Sequence, residues 1–238
     1  MFDFSNQVVV ITGALGNLGT ATARSFAAAG ATLGLLDIKS KDLQTVLGEH
    51  AASSDHKLLA PVDMTDAQSV EKAIGGVIEA LGRLDVLFNA AGGYRAGTPL
   101  HETELDQWDF MLGLNARSAF LASRAAIPQM LRQGSGKIIN VGARPGLKGS
   151  PNAAAYSASK SAVIRITESM AAELRVQGIN VNCVLPGTMD TPQNRKAMPD
   201  AKHEHWVPLQ AVADVVQFLA SDAARAIHGA SLPVFGLT

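Results

Sequence analysis

The feature that most constrains the fold is the alternation of short apolar segments with longer helical ones along 238 residues. The apolar segments are rich in aliphatic residues on consecutive positions, as is typical of strands buried on both faces of a parallel sheet. Helices between them provide the crossover connections that parallel strands need. The predicted strands cover 7–12, 32–37, 57–62, 84–89, 136–141, 179–185 and 231–236, and the predicted helices cover 17–30, 40–52, 66–82, 103–133, 153–177 and 209–222.

This alternation predicts an α/β fold, a single doubly wound domain over 1–238 with a mostly parallel sheet. No internal repeat, low-complexity tract or Pro- and Ser-rich linker divides the chain. Hydrophobic residues make up 47% of the sequence and charged residues 17%, which supplies a core and excludes a disordered class of protein.

Charge and cysteine content exclude several functional classes. The 20 Lys and Arg nearly balance the 21 Asp and Glu, and no basic patch indicates a nucleic-acid or membrane partner. The single Cys183 allows no internal disulfide, and no apolar stretch reaches the roughly 18 residues of a membrane span. The start of the chain has no signal-peptide pattern, so we expect a soluble, cytoplasmic protein. No cluster of metal ligands is evident, so no metal site is predicted.

The segment TGALGNLG (12–19) follows the first predicted strand and opens a helix. Glycines there permit a tight turn and close approach of the backbone, and a helix N-terminus presents free N–H groups to a pyrophosphate. An ordinary turn also uses glycine, but the strand–turn–helix context is what a dinucleotide site requires. The candidate cofactor-binding residues of this turn are Gly13, Leu15, Gly16, Asn17, Leu18 and Gly19.

Asp37 ends the second predicted strand, 18 residues after Gly19. A carboxylate at this place can bind the hydroxyls of the adenosine ribose and would repel a 2′-phosphate. The sequence therefore favours NAD(H) over NADP(H), although Lys39 and Lys41 lie close enough to weaken the preference. The alternative is that Asp37 is a solvated residue at a strand end, without a role in binding a cofactor.

The segment YSASK places Tyr156 and Lys160 four residues apart, on one face of a predicted helix. A free tyrosine has a pKa of about 10, and a cation about 4 Å away at an effective dielectric of about 20 is worth about 4 kcal/mol. We therefore predict that Lys160 lowers the pKa of Tyr156 towards neutrality, where a general acid or base works best. The alternative is a helix that carries the two residues without a catalytic role.

Five segments in this order and spacing resemble the short-chain dehydrogenase/reductase family: TGALGNLG, NAAG (89–92), Asn115, YSASK and PGTMDT (186–191). The resemblance implies a Rossmann-type domain with a seven-stranded parallel sheet and hydride transfer involving a nicotinamide. It also implies a homodimer or homotetramer assembled through the helices of 103–133 and 153–177.

The resemblance further implies roles for single residues, each with a plainer alternative. Asn115 would hold a water of a proton relay, or be a core amide. Asp63 would meet the adenine, or cap a helix. Tyr156 would be the acid/base and Lys160 would bind the nicotinamide ribose. The remaining implied cofactor residues are Asn89 and Ala91, then Pro186 and Gly187 at the nicotinamide, and Thr188 or Thr191 at its carboxamide, where the threonines are otherwise turn residues.

Ala143 departs from the family pattern, which usually has a serine thirteen residues before the tyrosine. That hydroxyl stabilises charge on the substrate oxygen, and loss of such a donor costs about 10²–10³ in rate. Three explanations remain open: another donor replaces it, catalysis is lost and the protein only binds a nucleotide, or the substrate does not need the hydroxyl.

A second resemblance favours the third explanation. GARPGLKGSPNAAAYSASK and the segment 185–209 resemble quinonoid dihydropteridine reductases, which prefer NADH and also have alanine at this place. The match covers mainly the second half, and the TG and NAAG elements depart from that pattern. Reduction of such an electron-poor ring places the proton on nitrogen and forms no isolated alkoxide. Tyr94 and Trp206 are candidate aromatic walls for a planar substrate, or else side chains of ordinary packing or of a surface loop. The segment 192–207 would form a short lid.

The sequence thus predicts an NADH-dependent reductase that transfers hydride to an electron-poor small molecule, in the narrower prediction a quinonoid dihydropterin. The first alternative is a carbonyl or alcohol oxidoreductase of the same family. The second is a catalytically silent nucleotide-binding protein.

Overall fold

A computed structural model describes residues 2–237, so both ends of the predicted domain 1–238 lie outside the described residues. Seven strands form one sheet, in which every pairing is parallel. They are β1 (Val8–Thr12), β2 (Thr32–Leu36), β3 (Lys57–Leu59), β4 (Val86–Asn89), β5 (Gly136–Val141), β6 (Ile179–Pro186) and β7 (Ser231–Val234). Their order, β3-β2-β1-β4-β5-β6-β7, confirms the predicted doubly wound, seven-stranded parallel sheet.

Helices occupy the connections, and all six predicted helical segments contain one. The helices are α1 (Asn17–Ala28), α2 (Leu43–Leu47), α3 (Ala67–Leu81), α4 (Leu105–Met111), α5 (Ser118–Gln133), α6 (Arg144–Leu147), α7 (Ala154–Leu174), α8 (Pro192–Ala197) and α9 (Leu209–Ala220). Short 3₁₀ turns cover Gly48–Ala52, Leu100–Glu102, Arg175–Gln177, His203–His205 and Asp222–Ala224. No helix among residues 2–237 is both long and apolar enough to cross a membrane.

Two of the predicted helices have a different form in the structure. The segment 40–52 divides at Gly48, whose backbone (φ 60°, ψ −131°) cannot continue a helix. The segment 103–133 remains helical from Leu105, but Leu112–Arg117 between α4 and α5 is a π-helix. Such wide turns are rare and frequently accompany functional sites.

The alternation of side chains along β1 divides the core into two layers. Val9 and Ile11 pack with the layer of α1 and α9, which includes Phe26. Val8 and Val10 pack with the opposite layer of α3, α5 and α7. Both faces of the sheet are therefore covered, which explains the continuous apolar strands of the sequence.

Asp85 joins three parts of the amino-terminal edge of the sheet. Its carboxylate accepts the N–H of Val8 (2.8 Å) and two hydrogen bonds from the Arg83 guanidinium (2.7 and 2.9 Å). Its backbone carbonyl accepts the N–H of Lys137 (2.9 Å). The starts of β1, β4 and β5 are thereby held in register, and their carboxyl ends meet at the opposite edge.

Candidate active site

The carboxyl ends of β1 and β4 lie side by side at the centre of the sheet, where the strand order reverses. Open α/β sheets bind ligands in the crevice at such a point. Gly13 has φ +61°, and a Cβ there would lie 2.8 Å from the Ala91 Cα. The N–H of Ala91 donates to the Thr12 hydroxyl (3.1 Å). The glycine turn after β1 and the loop after β4 are therefore in direct contact.

The N-terminus of α1 has the form of an anion-binding turn. Gly16, at its N-cap, contributes no side-chain hydrogen bond, and the first turn contains no acidic residue. A Cβ at Gly19 would collide with the carbonyl oxygen of Gly13 and lie 2.8 Å from the Ala14 Cα. The first N–H groups of α1 thus have no side-chain acceptor, and the backbone around them leaves no room for side chains at the glycines.

Asp37 lies directly against this turn. One oxygen of its carboxylate accepts the N–H of Leu15 (2.9 Å), and the other accepts the N–H of Lys39 (3.0 Å). The side chain is buried. The structure therefore brings together the predicted phosphate-binding turn and the predicted ribose-binding carboxylate, and holds the carboxylate by two backbone donors.

Lys160 lies on α7 with its ammonium group below the loop that follows β4. Nζ donates a hydrogen bond to the carbonyl oxygen of Val141 (2.8 Å). A Cβ at Gly92 would lie 3.4 Å from Nζ, so this glycine permits the close approach. Burial lowers the pKa of Lys160 to about 8, because an ammonium group removed from water loses its hydration.

Tyr156 lies one turn before Lys160 on the same face of α7. Burial and the neighbouring Tyr94 raise its pKa to about 12. The prediction that Lys160 lowers this pKa is therefore wrong for the protein without cofactor. The physical reason is that burial penalises the phenolate, while the Lys160 ammonium is directed at Val141. At neutral pH Tyr156 is a protonated donor.

Asn115 lies in the π-helical segment, and its buried amide joins two parts of the site. Its Oδ1 accepts the N–H of Gly93 (3.0 Å), and its Nδ2 donates to the Gly93 carbonyl (3.1 Å). Nδ2 also donates to the hydroxyl of Ser159 (3.0 Å), which donates to the carbonyl of Tyr156 (2.8 Å). The amide is thus used for positioning the loop and α7.

Ser159 is a site residue that the sequence analysis did not identify. It lies three residues after Tyr156, a spacing that places both on one side of a helix. That spacing is the only signal in the sequence, because the partner amide of Asn115 lies 44 positions away.

Asn89 ends β4 in a buried polar cluster. Its Nδ2 donates to Asn140 Oδ1 (2.8 Å) and to the Ser123 hydroxyl (3.1 Å), and Asn140 donates to Thr167 (2.8 Å). The Oδ1 atom of Asn89 is buried without a hydrogen-bond partner in the described part of the chain. Asn89 therefore supports the strand ends below the cleft.

Asp63 is exposed at the turn before α3. Its carboxylate accepts the N–H and the hydroxyl of Thr65 (2.8 and 2.7 Å), which lowers its pKa. The N-cap of α3 is Asp66. The alternative that Asp63 caps a helix is therefore wrong, since its side chain closes a turn instead.

The segment after β6 supplies the remaining predicted cofactor residues. Gly187, next to Pro186, donates its N–H to Val234 (2.9 Å), and the Thr188 carbonyl accepts the N–H of Val207 (2.8 Å). The Thr191 hydroxyl accepts the N–H of Asn194 (3.1 Å) and so caps α8. Thr191 is therefore a helix cap, and Thr188 joins the segment after β6 to Val207 through its backbone.

A hydrogen bond links α8 to the glycine turn. Asn17 Nδ2 donates to Gln193 Oε1 (2.7 Å), although 176 positions separate the two residues. Arg195 in α8 donates two hydrogen bonds to the carboxylate of Asp190 (2.6 and 2.8 Å), which lies just before the helix. The segment 192–207 therefore begins beside the predicted phosphate site.

The three candidate substrate residues differ in position. Ala143 follows β5 with extended backbone and is buried. Tyr94 lies against Tyr156, with ring centroids 4.8 Å apart and an interplanar angle of 82°. Trp206 is only 7% exposed and packs against His203, with centroids 4.4 Å apart. The described contacts thus bring Tyr94 to Tyr156, the predicted acid/base, whereas those of Trp206 place it in the packing of its own segment.

Residues 2–237 contain no group of three or more His, Cys, Asp or Glu side chains that could hold a metal ion. Near the glycine turn and α7, charge is supplied by the carboxylate of Asp37, the ammonium of Lys160 and the dipole of α1.

The family model described as short chain dehydrogenase matches residues 7–202. The chain is 33% identical over 240 residues to a 2,5-dichloro-2,5-cyclohexadiene-1,4-diol dehydrogenase of Sphingobium indicum, covering 98% of this chain and 96% of the relative. A crystal structure of NAD⁺-bound xylitol dehydrogenase superposes with a TM-score of 0.88 at 29% identity, over 98% of this chain and 99% of the other. A structure titled ElxO with NADP bound gives 0.89 at 25% identity, over 97% of each chain.

Proposed function

The chain belongs to the short-chain dehydrogenase family of oxidoreductases, and from that membership we propose that it interconverts a small alcohol and its carbonyl with NAD(H). The observation that carries the proposal is the arrangement at one edge of the sheet. A protonated Tyr156 lies next to the buried Lys160, and both adjoin the loop that contacts the glycine turn.

The residues at the crevice fit a nicotinamide dinucleotide. The uncapped start of α1 and the close packing at Gly13 and Gly19 leave backbone N–H groups for a pyrophosphate. Lys160 would bind the nicotinamide ribose, with Asn89 and Ala91 supporting the pocket. The further residues proposed to hold the cofactor are Asp63 at the adenine, Pro186 and Gly187 beside the nicotinamide, and Thr188 or Thr191 at its carboxamide.

We infer a preference for NAD(H) over NADP(H). Asp37 places a carboxylate within hydrogen-bond reach of the glycine turn, and its two backbone donors leave it lone pairs for ribose hydroxyls. A 2′-phosphate would meet this negative charge. The related structures include one with NAD⁺ and one with NADP, so the preference of this chain is supported by Asp37 alone.

A nicotinamide, when bound, supplies or accepts the hydride. The protein supplies the proton: the Tyr156 hydroxyl donates to the substrate oxygen as the carbonyl carbon is reduced, and accepts a proton in the reverse direction. Because its pKa is raised in the free protein, Tyr156 is fully protonated at neutral pH and favours the role of acid. Asn115 keeps Tyr156 in place through Ser159.

The alcohol and carbonyl class is proposed first because the relatives are named as diol and xylitol dehydrogenases. A quinonoid dihydropterin is the second candidate, and the observation that favours it is Ala143. The methyl group of this residue offers no hydrogen bond to an oxyanion. An electron-poor ring that receives its proton on nitrogen does not require one. Tyr94 would then form a wall for the ring, and Trp206 would support it from the lid.

We also propose that the chain forms one cofactor-binding domain in which the segment 192–207 acts as a lid, since a hydrogen bond joins α8 to the glycine turn.

A homodimer or homotetramer is supported by exposed aromatic side chains on α4 and α5, among them Trp108, Phe110 and Phe120. A cytoplasmic location remains a prediction from the lone, buried Cys183.

The test is turnover by the purified protein and by its Tyr156→Phe variant. The substrates are butane-2,3-diol and xylitol with NAD⁺ or NADP⁺, their ketone forms with NADH or NADPH, and quinonoid dihydropterin with NADH. We expect turnover of an alcohol and ketone pair with NAD(H), and a fall of at least about 10²-fold in kcat for the variant, because general acid–base catalysis contributes about 10²–10⁴.

Each other result selects a different conclusion. Turnover of dihydropterin without turnover of ketones selects the second candidate. Equal rates for the protein and its variant remove Tyr156 from the reaction. Tight binding of NADH without turnover of any substrate supports a nucleotide-binding protein without catalysis.

A further inference from the structure

Ala143 leaves one hydrogen bond to the substrate oxygen without an obvious donor. Three serines lie nearby, but the hydroxyl group of each makes a hydrogen bond within the protein. Ser159 donates to the Tyr156 carbonyl (2.8 Å), and Ser161 donates to the Gly146 carbonyl (2.8 Å). Ser157 is buried and accepts the N–H of Ser150 (3.4 Å). A further hydroxyl, outside these three serines, lies on the loop after β4 at Tyr94.

Tyr94 brings a polar side chain into contact with the ring of Tyr156. The two rings meet edge to face, 4.8 Å between centroids. Tyr94 is 68% exposed, and its hydroxyl makes no hydrogen bond within residues 2–237. A phenol usually satisfies its hydroxyl when it can. This one remains available to a ligand beside the acid/base.

The backbone on both sides of Tyr94 is held in place. Gly93 is fixed by two hydrogen bonds with the Asn115 amide. The Arg95 guanidinium lies 4.0 Å from the centre of the Phe110 ring, and Gly97 donates to the Asn152 carbonyl (2.8 Å). An exposed side chain on a fixed backbone loses less freedom when it binds a ligand than one on a mobile loop.

Asn115 couples the two tyrosines. Its amide fixes Gly93, the neighbour of Tyr94, and through Ser159 it also fixes the carbonyl of Tyr156. One buried side chain thus contacts the backbone beside both phenols. Such positioning is what two donors to a single oxygen require.

We propose that the Tyr94 hydroxyl donates the second hydrogen bond to the substrate oxygen, in place of the hydroxyl that Ala143 lacks. The inference rests on the proposed alcohol and carbonyl function. It makes Tyr94 a catalytic residue, since the hydroxyl touches the oxygen on which charge develops. It also makes ketones and alcohols substrates of this site despite the alanine.

The test is a double-mutant cycle with Tyr94→Phe and Ala143→Ser, measured on the ketone that the protein reduces. Tyr94→Phe keeps the ring and its contact with Tyr156 but removes the hydroxyl. We expect it to lower kcat by about 10–10³-fold with little change in KM, as for loss of one oxyanion donor. In the Ala143→Ser background the same substitution should cost less than about threefold, because the serine restores a donor.

A role in packing predicts a different pattern. Tyr94→Phe would then retain the activity of the unchanged protein, Tyr94→Leu would lose it, and Ala143→Ser would not rescue Tyr94→Leu. That pattern, or equal effects of Tyr94→Phe in both backgrounds, overturns the proposal. NADH affinity serves as the control and should be the same in every variant.

Failure of this proposal can be told apart from failure of the proposed function. If the protein reduces a ketone, Tyr156→Phe abolishes the reaction and Tyr94→Phe has no effect, only the assignment of Tyr94 is wrong. If no ketone or alcohol is turned over with either nicotinamide, the function and the assignment are both wrong.

Discussion

Tyr156 and Lys160 show how burial changes the chemistry of a familiar residue pair. The sequence predicts that they share a helix face, and they do. It cannot predict the direction of the Tyr156 pKa, because that depends on water exclusion by residues far away in the chain. Burial disfavours the charged form of both groups, so it raises the pKa of the phenol and lowers that of the amine. The sequence pattern therefore identifies the pair, but it does not predict the ionisation of the two side chains.

The first prediction at this scale is that Tyr156 resists ionisation in the protein without cofactor. Tyr94 and Tyr156 are the only tyrosines, so subtracting the ultraviolet phenolate spectrum of Tyr156→Phe isolates one titration. Its midpoint should lie above the ordinary value of about 10. Circular dichroism at each pH checks that the protein is still folded. A midpoint below pH 9 would show that Lys160 dominates and restore the prediction from the sequence.

At the scale of single elements, the apolar strands and the long helices are predictable from the sequence, and the short helices are not. All seven strands follow from runs of apolar residues. The helices α6 and α8 have four and six residues, too few to display a helical period, and were missed. The π-helical segment was also missed, because the residues Leu112–Arg117 continue the same apolar pattern as α4 and α5. Its consequence, the two-way bonding of Asn115, depends on a loop distant in sequence.

The glycine turn can be tested with two matched alanine substitutions, one in the turn and one in another helix. Gly19 and Gly75 are both helical, but a Cβ at Gly75 would meet nothing within 4 Å, whereas one at Gly19 would collide with Gly13. Gly75→Ala should raise the free energy of unfolding by up to about 1 kcal/mol, the helix propensity of alanine over glycine. Gly19→Ala should lower it by about 1–3 kcal/mol through overpacking.

Urea unfolding measures both effects, and NADH fluorescence measures binding. Gly75→Ala should leave the NADH affinity unchanged. Gly19→Ala should weaken it at least tenfold, because the turn that presents the N–H groups has to shift. Retention of full NADH affinity by Gly19→Ala would separate the turn from the dinucleotide site.

At the scale of the molecule, the order of the strands decides which residues meet. Gly13, Asp37, Asn89 and Tyr156 come from four parts of the chain, and the parallel sheet brings them to one edge. The sequence predicts this gathering once the fold is known. It does not predict that the indole of Trp206 is buried against His203, because the path of 198–207 is set by the pairing of Met189 with Val207.

Association of the whole molecule can be tested at Phe120. This side chain is 49% exposed on α5 and borders a hollow that Arg117 and Ile166 also line. If α5 forms an interface between copies, Phe120→Glu should reduce the mass in sedimentation towards that of one 24.8 kDa chain. Ile38→Glu, at an apolar side chain that is 57% exposed elsewhere, is the control and should not change the mass. An unchanged mass for Phe120→Glu would exclude this face.

The carboxylate of Asp85 has a consequence for how such a molecule diversifies. Asp85 fastens the starts of β1, β4 and β5, through its carboxylate and its backbone carbonyl, on the rim of the sheet that faces away from Tyr156. Substitutions in the loops around the tyrosines can accumulate without loosening that rim, and repairs to the rim need not alter substrate choice. Stability at this rim and substrate selectivity around the tyrosines therefore depend on different residues, which lie at opposite ends of the strands.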